Sequence, residues 1–390
     1  MPDVIYLDNA ATSWPKPPVV GAAMGRFLDQ EAANPGRAGH RMAVAAERML
    51  DRVRKQLTDF IGGTDPTRMI FTLNGTDALN IALKGILRAG DHVITTTLEH
   101  NSVSRPLEAM ARRGQITLTR VEFSPATGTI DLADLAAAIT PRTRLVVMTQ
   151  ASNVLGTIQP VAAVGRIVRE RGGGVRFLVD AAQTIGTVPI HVERDRIDLL
   201  AFPGHKGLLG PPGTGGLYVA PTIGLNDLLP FREGGTGGDS AHPTMPETFP
   251  YYLEGGTPNT VGIAGLEAAL SYVQDRTPAA ILAHERALLQ RLIEGLAGLG
   301  QAKVQIYGPG TVENSVGTLS FNLNQGGYTP QEVGGILDES FGIAVRPGLH
   351  CAPYTHRTLG TFPDGTLRVS PGPFTTVQEM DQLLQALSGL

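Results

Sequence analysis

Apolar residues in the first part of the chain follow two different periods. Within Ala43–Ile61, residues such as Val44, Val53 and Leu57 recur at the spacing of one helix face, which predicts an amphipathic helix. The next segment, Met69–Leu73, is a short apolar run and predicts a strand. A helix followed by a strand is the beginning of a repeating pattern.

This alternation continues to about residue 220. After a helix predicted over Ala78–Leu87 come further β-branched and apolar runs. The strands predicted from them are His92–Thr97, Ile116–Val121, Arg144–Thr149, Arg176–Asp180 and Asp198–Phe202. Alternating strands and helices predict an α/β fold with a mostly parallel sheet and helices on both faces. Ligands of such folds bind at the carboxyl ends of the strands.

Between residues 231 and 260 the alternation stops. Glycine and proline recur there at no regular interval, which predicts a long loop that is functional or connects domains. The elements predicted beyond it are helices over Val261–Gln274 and Ala279–Leu299, strands over Val304–Tyr307 and Thr318–Leu323, a helix over Pro330–Phe341 and a helix from Thr376. We expect a large domain over residues 15–260 and a smaller α+β domain formed by residues 1–14 and 261–390.

Composition and charge narrow the class of function. The chain has 390 residues, of which 42% are hydrophobic, enough to bury more than one core. The net charge is −4 and the 32 basic residues are scattered, so neither nucleic acid nor an anionic membrane is an expected partner. A single cysteine excludes an intramolecular disulfide and a cysteine-based zinc site, and we expect no metal. Without a leader-like start or a membrane-spanning stretch, a cytoplasmic enzyme of small metabolites is expected.

One lysine lies just beyond the end of a predicted strand. Lys206 lies among glycines in Phe202–Gly207, at the carboxyl end of an apolar run. A lysine in a partly desolvated pocket loses its proton more readily, and only the neutral amine forms a Schiff base with an aldehyde. A solvated surface lysine is the alternative.

An aspartate ends the preceding predicted strand. Burial of Asp180 without a cationic partner would be costly, and a protonated pyridine nitrogen would be such a partner. An aspartate that caps a helix is the alternative.

Two further segments suit a phosphate and an aromatic ring. Because Asn74 lies between a strand and a helix, the N–H groups of Gly75 and Thr76 would face a phosphate placed there. An ordinary Asn cap is the alternative. His100 follows the next strand, and it either stacks on a ring or caps a helix over residues 103–113.

Seven segments together carry a family resemblance. They are Tyr6–Thr12, Asn74–Thr76, Leu98–Asn101, Ser152–Gly156, Val179–Gln183, Gly204–Lys206 and Gly256–Asn259. In this order, over nearly the whole chain, they resemble the class V aminotransferase family of pyridoxal-phosphate enzymes, and more narrowly its cysteine desulfurases and selenocysteine lyases. The resemblance implies pyridoxal-phosphate fold type I, a homodimer, and Lys206 as the lysine that binds pyridoxal 5'-phosphate as a Schiff base.

The resemblance also implies roles for residues around the cofactor. Asp180 would contact the pyridine nitrogen and His100 would stack on the ring. The other roles implied are those of Asn153 and Gln183 at the ring hydroxyl, Thr76 and His205 at the phosphate, and Thr257 at the phosphate of the neighbouring subunit. Many relatives carry a serine or threonine where this chain has Pro203, so we expect one phosphate hydrogen bond to be missing. Weaker cofactor retention or a substitute donor would follow.

The single cysteine lies in a segment typical of the desulfurase branch. Arg346–Ala352 matches the family's Arg-x-Gly-x-His-Cys-Ala context, in a short loop that resembles group II. The resemblance implies that a thiolate of Cys351 accepts sulfur from the substrate. One solvated arginine stabilises a thiolate by about 1 kcal/mol or less, so Arg346 needs a second contributor, either His350 or a proton acceptor on the cofactor side. An inert buried cysteine is the alternative.

Further residues are assigned to the substrate. Arg368 matches the family's substrate-carboxylate arginine, because a guanidinium can hold a carboxylate through two hydrogen bonds. A surface charge is the alternative. The resemblance adds Arg346, His40 and Ala10 to this substrate set.

The expected function is that of a dimeric cysteine desulfurase. It would convert L-cysteine to alanine, form a persulfide on Cys351 and pass the sulfur to an acceptor protein, for iron–sulfur clusters or other products. The alternatives are another class V reaction (C–S lyase, selenocysteine lyase, epimerase or aminotransferase) and an interaction protein that keeps the fold without a cofactor. Cys351 distinguishes the first alternative, and Lys206 the second.

Overall fold

The secondary structure of the computed structural model follows the predicted alternation. The structure describes residues 4–36, 39–237, 241–324 and 326–390. The strands are β1 (Ile5–Tyr6), β2 (Met69–Thr72), β3 (Asp91–Thr96), β4 (Ile116–Val121), β5 (Thr143–Thr149), β6 (Arg176–Asp180), β7 (Leu199–Pro203), β8 (Gly215–Val219), β9 (Val304–Tyr307), β10 (Leu319–Leu323), β11 (Ile343–Ala344), β12 (Arg346–Gly348) and β13 (Thr366–Val369). The helices are α1 (Pro18–Gln30), α2 (Arg41–Phe60), α3 (Gly75–Ile86), α4 (Asn101–Arg112), α5 (Leu132–Ala138), α6 (Val161–Arg171), α7 (Thr260–Arg276), α8 (Pro278–Gly298), α9 (Pro330–Phe341), α10 (Pro353–Leu359) and α11 (Val377–Ser388).

The helices and strands predicted from the sequence are confirmed, with ends shifted by a few residues. The pattern missed α1, which begins at a proline and contains two glycines, and β8, which begins with two glycines. Bounds were also not predicted for α5, α6, α10 and the short strands β1, β11, β12 and β13. Residues 1–3 of the expected small domain and residues 238–240 of the predicted loop lie outside the described residues. Within the described part of the chain, no helix combines the length and the apolar character that crossing a membrane requires.

The large sheet positions the candidate site. Its strand order over the described residues is β2-β8-β7-β6-β5-β3-β4. The pairs among β3 to β7 are parallel, and β8 runs antiparallel to both of its neighbours. The predicted, mostly parallel sheet is therefore confirmed. The carboxyl ends of β2, β3, β5, β6 and β7 lie at one edge, and the loops that follow them meet there.

Both faces of this sheet are covered by apolar side chains. In β6, Phe177 and Val179 belong to one hydrophobic cluster and Leu178 to the other, as the two-residue period of a strand requires. Leu57 of α2 packs into the first cluster and Leu83 of α3 into the second. The central strands are buried, so polar residues at their ends are held at the edge of the sheet.

A second sheet forms the smaller domain. It is antiparallel, with the order β12-β13-β10-β9, and it shares a separate core with α8, α9 and α11 that includes Phe321, Leu337 and Leu383. β1 pairs in parallel with β11 and joins the N-terminal segment to this domain. By contrast, α7 packs Ile263 and Leu270 into the core of the large sheet. The division at residue 260 stays a prediction, although α7, which follows it in the sequence, packs against the large sheet.

A largely buried ion pair anchors the segment that precedes α7. Arg54 of α2 donates to both carboxylate oxygens of Glu254, at 2.7 and 3.1 Å. Glu254 also accepts from the N–H of Phe71, over whose ring Arg54 lies at 4.3 Å. These contacts hold Gly255–Thr257 beside a surface cleft of about 730 Å³.

Gly186 is a sensitive position for stability. Its φ is +93°, and a Cβ there would overlap the backbone carbonyl of Gly207. We expect Gly186→Ala to lower the free energy of unfolding by about 2–5 kcal/mol, through backbone strain and overpacking together. The control is Gly360→Ala, at φ +72° and ψ +17° with open space around it, which should cost about 1–2 kcal/mol. Equal losses for both variants in urea denaturation would contradict the contact.

Candidate active site

A pocket of about 220 Å³ lies at the edge where the parallel strands end. Loops after β2, β3, β5, β6 and β7 supply most of its wall. Arginines of β12 and β13, the N-terminal residues Ala10 and Ala11, and His350 supply the rest. The predicted site residues that line it are Ala10, Gly75, Thr76, His100, Asn153, Asp180, Gln183, His205, Lys206, Arg346 and Arg368. The topology brings together residues from both ends of the chain.

Lys206 lines this pocket beside a buried carboxylate. Burial lowers the pKa of Lys206 from 10.5 to about 8, and the Asp180 carboxylate opposes that shift. Asp180 ends β6, and burial raises its pKa, although its carboxylate accepts a hydrogen bond from the N–H of Ala182 at 2.9 Å. A fraction of the Lys206 side chain is therefore a neutral amine near neutral pH. Lys206 is therefore not a solvated surface lysine. The described residues 181–198, between β6 and β7, contain no α-helix for Asp180 to cap.

The carbonyl of His205 holds the backbone that precedes Lys206. It accepts hydrogen bonds from the Ser13 N–H at 3.1 Å, the hydroxyls of Thr12 and Ser13 at 3.2 Å each, and the Lys16 ammonium at 2.7 Å. The Nδ1 atom of His205 also lies 3.0 Å from Thr12 Oγ1. The N-terminal segment therefore fixes the loop that carries the lysine.

Positive charge accumulates at this end of the pocket. Burial lowers the pKa of Lys16 from 10.5 to about 8, and it lowers the pKa of His205 to about 4 with help from the charges of Lys206 and Lys16. His205 is therefore neutral at pH 7, while two lysines lie close to it. This combination favours an anionic ligand.

α3 begins at the pocket. The Asn74 side chain caps it by accepting the N–H of Asp77 at 2.9 Å. The first N–H groups of a helix have no partner inside it, so those of Gly75 and Thr76 are available to an anion. Capping by the Asn74 side chain and phosphate binding by the N–H groups of Gly75 and Thr76, given above as alternatives, are therefore compatible.

α4 begins at the same edge, and His100 caps it. The Nδ1 atom of His100 accepts the N–H of Ser102 at 3.0 Å. Burial, followed by the charges of Lys206 and nearby arginines, lowers the pKa of His100 to about 4, so its ring is neutral. His100 thus caps the helix and lines the pocket, and its stacking on a ring stays a prediction.

Two arginines lie opposite each other on the small-domain wall. Arg346 and Arg368 are direct partners in the register of β12 and β13. Arg368 is only 1% exposed, and it donates to Asp8 Oδ1 at 2.6 Å and to the Asn153 carbonyl at 3.0 Å. Within the described residues its Nε has no partner. Arg368 is therefore no surface charge, and like charges in register favour an anion beside them.

Two side-chain amides are oriented by backbone groups. Gln183 Nε2 donates to the Ala10 carbonyl at 3.1 Å, and Asn153 Nδ2 donates to the His350 carbonyl at 2.6 Å. Both amides are in position before any ligand binds.

Cys351 does not itself line the pocket, and it lies on a short, tightly held loop directly after the lining residue His350. Its φ is +58° and that of His350 is +47°, which cost about 1–2 kcal/mol each. The Asn153 amide holds the carbonyl of His350, and the N–H of Asn101 holds that of Cys351 at 2.7 Å. Arg346 Nη2 lies 4.0 Å from Cys351 Sγ. The thiol is partly exposed, unlike an inert core cysteine.

His350 does not supply a positive charge to this thiol. Burial lowers its pKa well below the usual value, so the ring is neutral at pH 7. Its Nε2 lies 3.1 Å from Thr366 Oγ1, and its Nδ1 has no partner among the described residues. Of the two contributors expected beside Arg346, His350 is excluded as a cation.

Three predicted site residues do not line this pocket: Cys351, which directly follows the lining residue His350, and two residues that lie elsewhere. His40 is exposed and caps α2 through the N–H of Ala43 at 3.3 Å. Thr257, the residue assigned to the neighbouring subunit, is exposed and lines the surface cleft beside α2. Both roles stay predictions.

The sequence reasoning missed Ser102, Lys16 and Asp8. Ser102 is on the first turn of a helix, where serine is common, so it gave no signal of its own. Lys16 and Asp8 lie in or next to a segment that carried the family resemblance, but their partners are 189 and 360 residues away. Their burial and their distant partners depend on the fold, so the sequence alone carries no signal for these two residues.

The chain belongs to the class V aminotransferase family, whose sequence model matches residues 5–383. It is 36% identical over 389 residues to a probable cysteine desulfurase of Methanothermobacter thermautotrophicus, covering 99% of this chain and 94% of that protein. It is 34% identical over 357 residues to a cysteine desulfurase of Yersinia pestis, covering 90% of this chain and 84% of that protein. The predicted family is confirmed.

Solved structures share the fold. The apo cysteine desulfurase of Thermococcus onnurineus superimposes with a TM-score of 0.90 at 33% identity, covering 99% of this chain and 94% of that one. A cysteine desulfurase of Escherichia coli gives a TM-score of 0.85 at 28% identity, covering 98% and 93%. The predicted pyridoxal-phosphate fold type I is confirmed.

The pKa of Lys206 predicts how the protein reacts with an aldehyde. Only the neutral amine attacks, and its fraction grows as the pH rises through about 8. We expect the rate of aldehyde binding, followed by visible absorbance, to rise about tenfold between pH 7 and pH 9 and then to level off. Because the pKa of Lys16 is also about 8, Lys16→Gln is the control and should keep this profile. A flat profile in the original protein would contradict the lowered pKa.

Proposed function

We propose that this chain is a pyridoxal-phosphate-dependent cysteine desulfurase. The observation that carries the proposal is the position of Cys351 and Arg346 beside the pocket that contains Lys206 and Asp180. The curated relatives named cysteine desulfurase support the same activity.

The residues of the pocket suit pyridoxal 5'-phosphate. Asp180 is buried, and among the described residues its carboxylate accepts one hydrogen bond, from a backbone N–H, so it would complement a protonated pyridine nitrogen. Lys206 would bind the aldehyde, His100 would lie against the ring, and the start of α3 would receive the phosphate. When bound, the cofactor supplies an electron sink for the carbon that carries the substrate amino group.

The arginine pair would bind the carboxylate of L-cysteine. Arg368 is oriented by Asp8 and by the Asn153 carbonyl, and its Nε has no partner within the described residues. A substrate carboxylate would relieve the repulsion between Arg346 and Arg368, and a guanidinium can hold it through two hydrogen bonds. The substrate sulfur would then point toward the Cys351 loop.

Cys351 would accept the sulfur. Its thiolate attacks the sulfur of cysteine, an S–S bond forms while the substrate carbon–sulfur bond breaks, and the bonding electron pair stays with carbon. That carbon gains a proton, and alanine leaves. Arg346, at 4.0 Å from Sγ, stabilises the thiolate, and the second contributor is a proton acceptor on the cofactor side.

The assembly and the sulfur acceptor are part of the proposal. A homodimer would place the exposed Thr257 against the phosphate of the neighbouring subunit. A protein acceptor, a role in iron–sulfur cluster assembly and a cytoplasmic location rest on the family resemblance.

The test of the function is sulfur transfer to Cys351. We expect the protein with pyridoxal phosphate and L-cysteine to form alanine and to gain the mass of one sulfur on Cys351. Cys351→Ala should lower alanine formation by about 100-fold or more while it keeps the visible absorption of lysine-bound cofactor. Lys206→Ala should lose both.

Two outcomes would overturn the proposal. Undiminished alanine formation in Cys351→Ala would mean that another class V reaction is the function. No visible absorption with pyridoxal phosphate in the original protein would favour an interaction protein.

The pair formed by Arg346 and Arg368 predicts a defect in substrate binding when Arg368 is replaced. Arg368→Lys should raise the KM for L-cysteine about tenfold or more, because a lysine cannot make two parallel hydrogen bonds to a carboxylate. The control is Arg291→Lys in the exposed pair with Asp381, which should leave the KM unchanged. A fall in kcat without a change in KM would contradict a carboxylate-binding role.

A further inference from the structure

We propose that Ser102 binds the phosphate of the cofactor and replaces the hydrogen bond that Pro203 cannot donate. This inference rests on the proposed function, because it takes the starts of α3 and α4 as the phosphate end of the pocket.

Pro203 forms a wall without hydrogen-bond donors at that end. Gly75 and Pro203 both line the pocket, and a Cβ on Gly75 would lie 3.3 Å from Pro203 Cδ. The first turn of α3 is therefore in contact with Pro203. Proline has neither an N–H nor a side-chain donor, so this wall offers an anion no hydrogen bond.

Ser102 supplies a hydroxyl at the same end. It lines the pocket from the first turn of α4, and its Oγ lies 2.6 Å from Thr76 Oγ1. Ser102 is buried whereas Thr76 is exposed. The buried hydroxyl is shielded from water, which strengthens its attraction to a doubly charged phosphate.

The proton of the Ser102 hydroxyl is available to a ligand. His100 Nδ1 lies 2.8 Å from Ser102 Oγ, but it already accepts the Ser102 N–H at 3.0 Å. Because the cap of α4 is complete without the hydroxyl, the O–H can turn toward an acceptor that lies between the two helix starts. Because Thr76 Oγ1 and Ser102 Oγ lie 2.6 Å apart, one of these hydroxyls donates to the other. With Thr76 as that donor, the Ser102 O–H would donate to the phosphate.

The test is cofactor affinity rather than activity. Apoprotein is titrated with pyridoxal phosphate, and the visible absorption that depends on Lys206 gives the dissociation constant. We expect Ser102→Ala to raise this constant about tenfold or more. Pyridoxal, which has the same ring and aldehyde but no phosphate, should bind the original protein and Ser102→Ala equally.

A matched control lies two residues further along α4. Ser104 is buried, and its hydroxyl has no partner within the described residues and does not line the pocket. Ser104→Ala should keep the original affinity. Adding Pro203→Ser to Ser102→Ala should recover most of the lost affinity, because it places a hydroxyl at position 203, on the other side of the phosphate end of the pocket.

The possible failures are distinguishable. An unchanged dissociation constant in Ser102→Ala overturns the inference, as does an equal loss for pyridoxal, which would show that Ser102 acts through the His100 ring. A double variant without recovery overturns the compensation for Pro203. If the original protein develops no absorption that depends on Lys206, the proposed function fails together with the inference.

Discussion

The removal of Lys206 and Asp180 from water is the constraint on which the rest of the site depends. The two residues follow or end neighbouring parallel strands, β7 and β6, and the covered faces of the sheet deny both charges their hydration. Desolvation alone disfavours the charged form of each group. The result is a lysine with a pKa of about 8, ready to react, and a carboxylate that still needs a cation.

Neither domain contains the site alone. Arg368 belongs to the small domain, yet it is held by the Asn153 carbonyl from the loop after β5 and by Asp8 from the N-terminal segment. The same N-terminal segment supplies four hydrogen bonds to the carbonyl of His205. A displacement of one domain against the other would therefore disturb the substrate arginine and the lysine loop together.

The sequence predicted those parts of the site that follow from strand ends. Asp180 directly follows an apolar run and Lys206 lies on the loop after the next one, and the parallel order of the sheet brings such ends to one edge. The burial and the protonation state of each group could not be predicted from the positions of strand ends. His350 is neutral because the surrounding structure buries it, and Arg368 is buried by partners from distant segments. Ser102 and Ser104 are both buried serines of α4, yet only the hydroxyl of Ser102 contacts Thr76 and only Ser102 lines the pocket, within the described residues.

The short loop that carries Cys351 determines whether this protein or the sulfur acceptor must move during sulfur delivery. The carbonyl of Cys351 and that of His350 are each held by a hydrogen bond, and both residues have a left-handed backbone that few sequences adopt. A thiol on such a loop has the freedom of its own side-chain rotation and little more. If sulfur leaves from Cys351, the receiving molecule has to extend its own acceptor atom into the mouth of the pocket. The recipient, and not the Cys351 loop, therefore covers the distance between the two sulfur atoms.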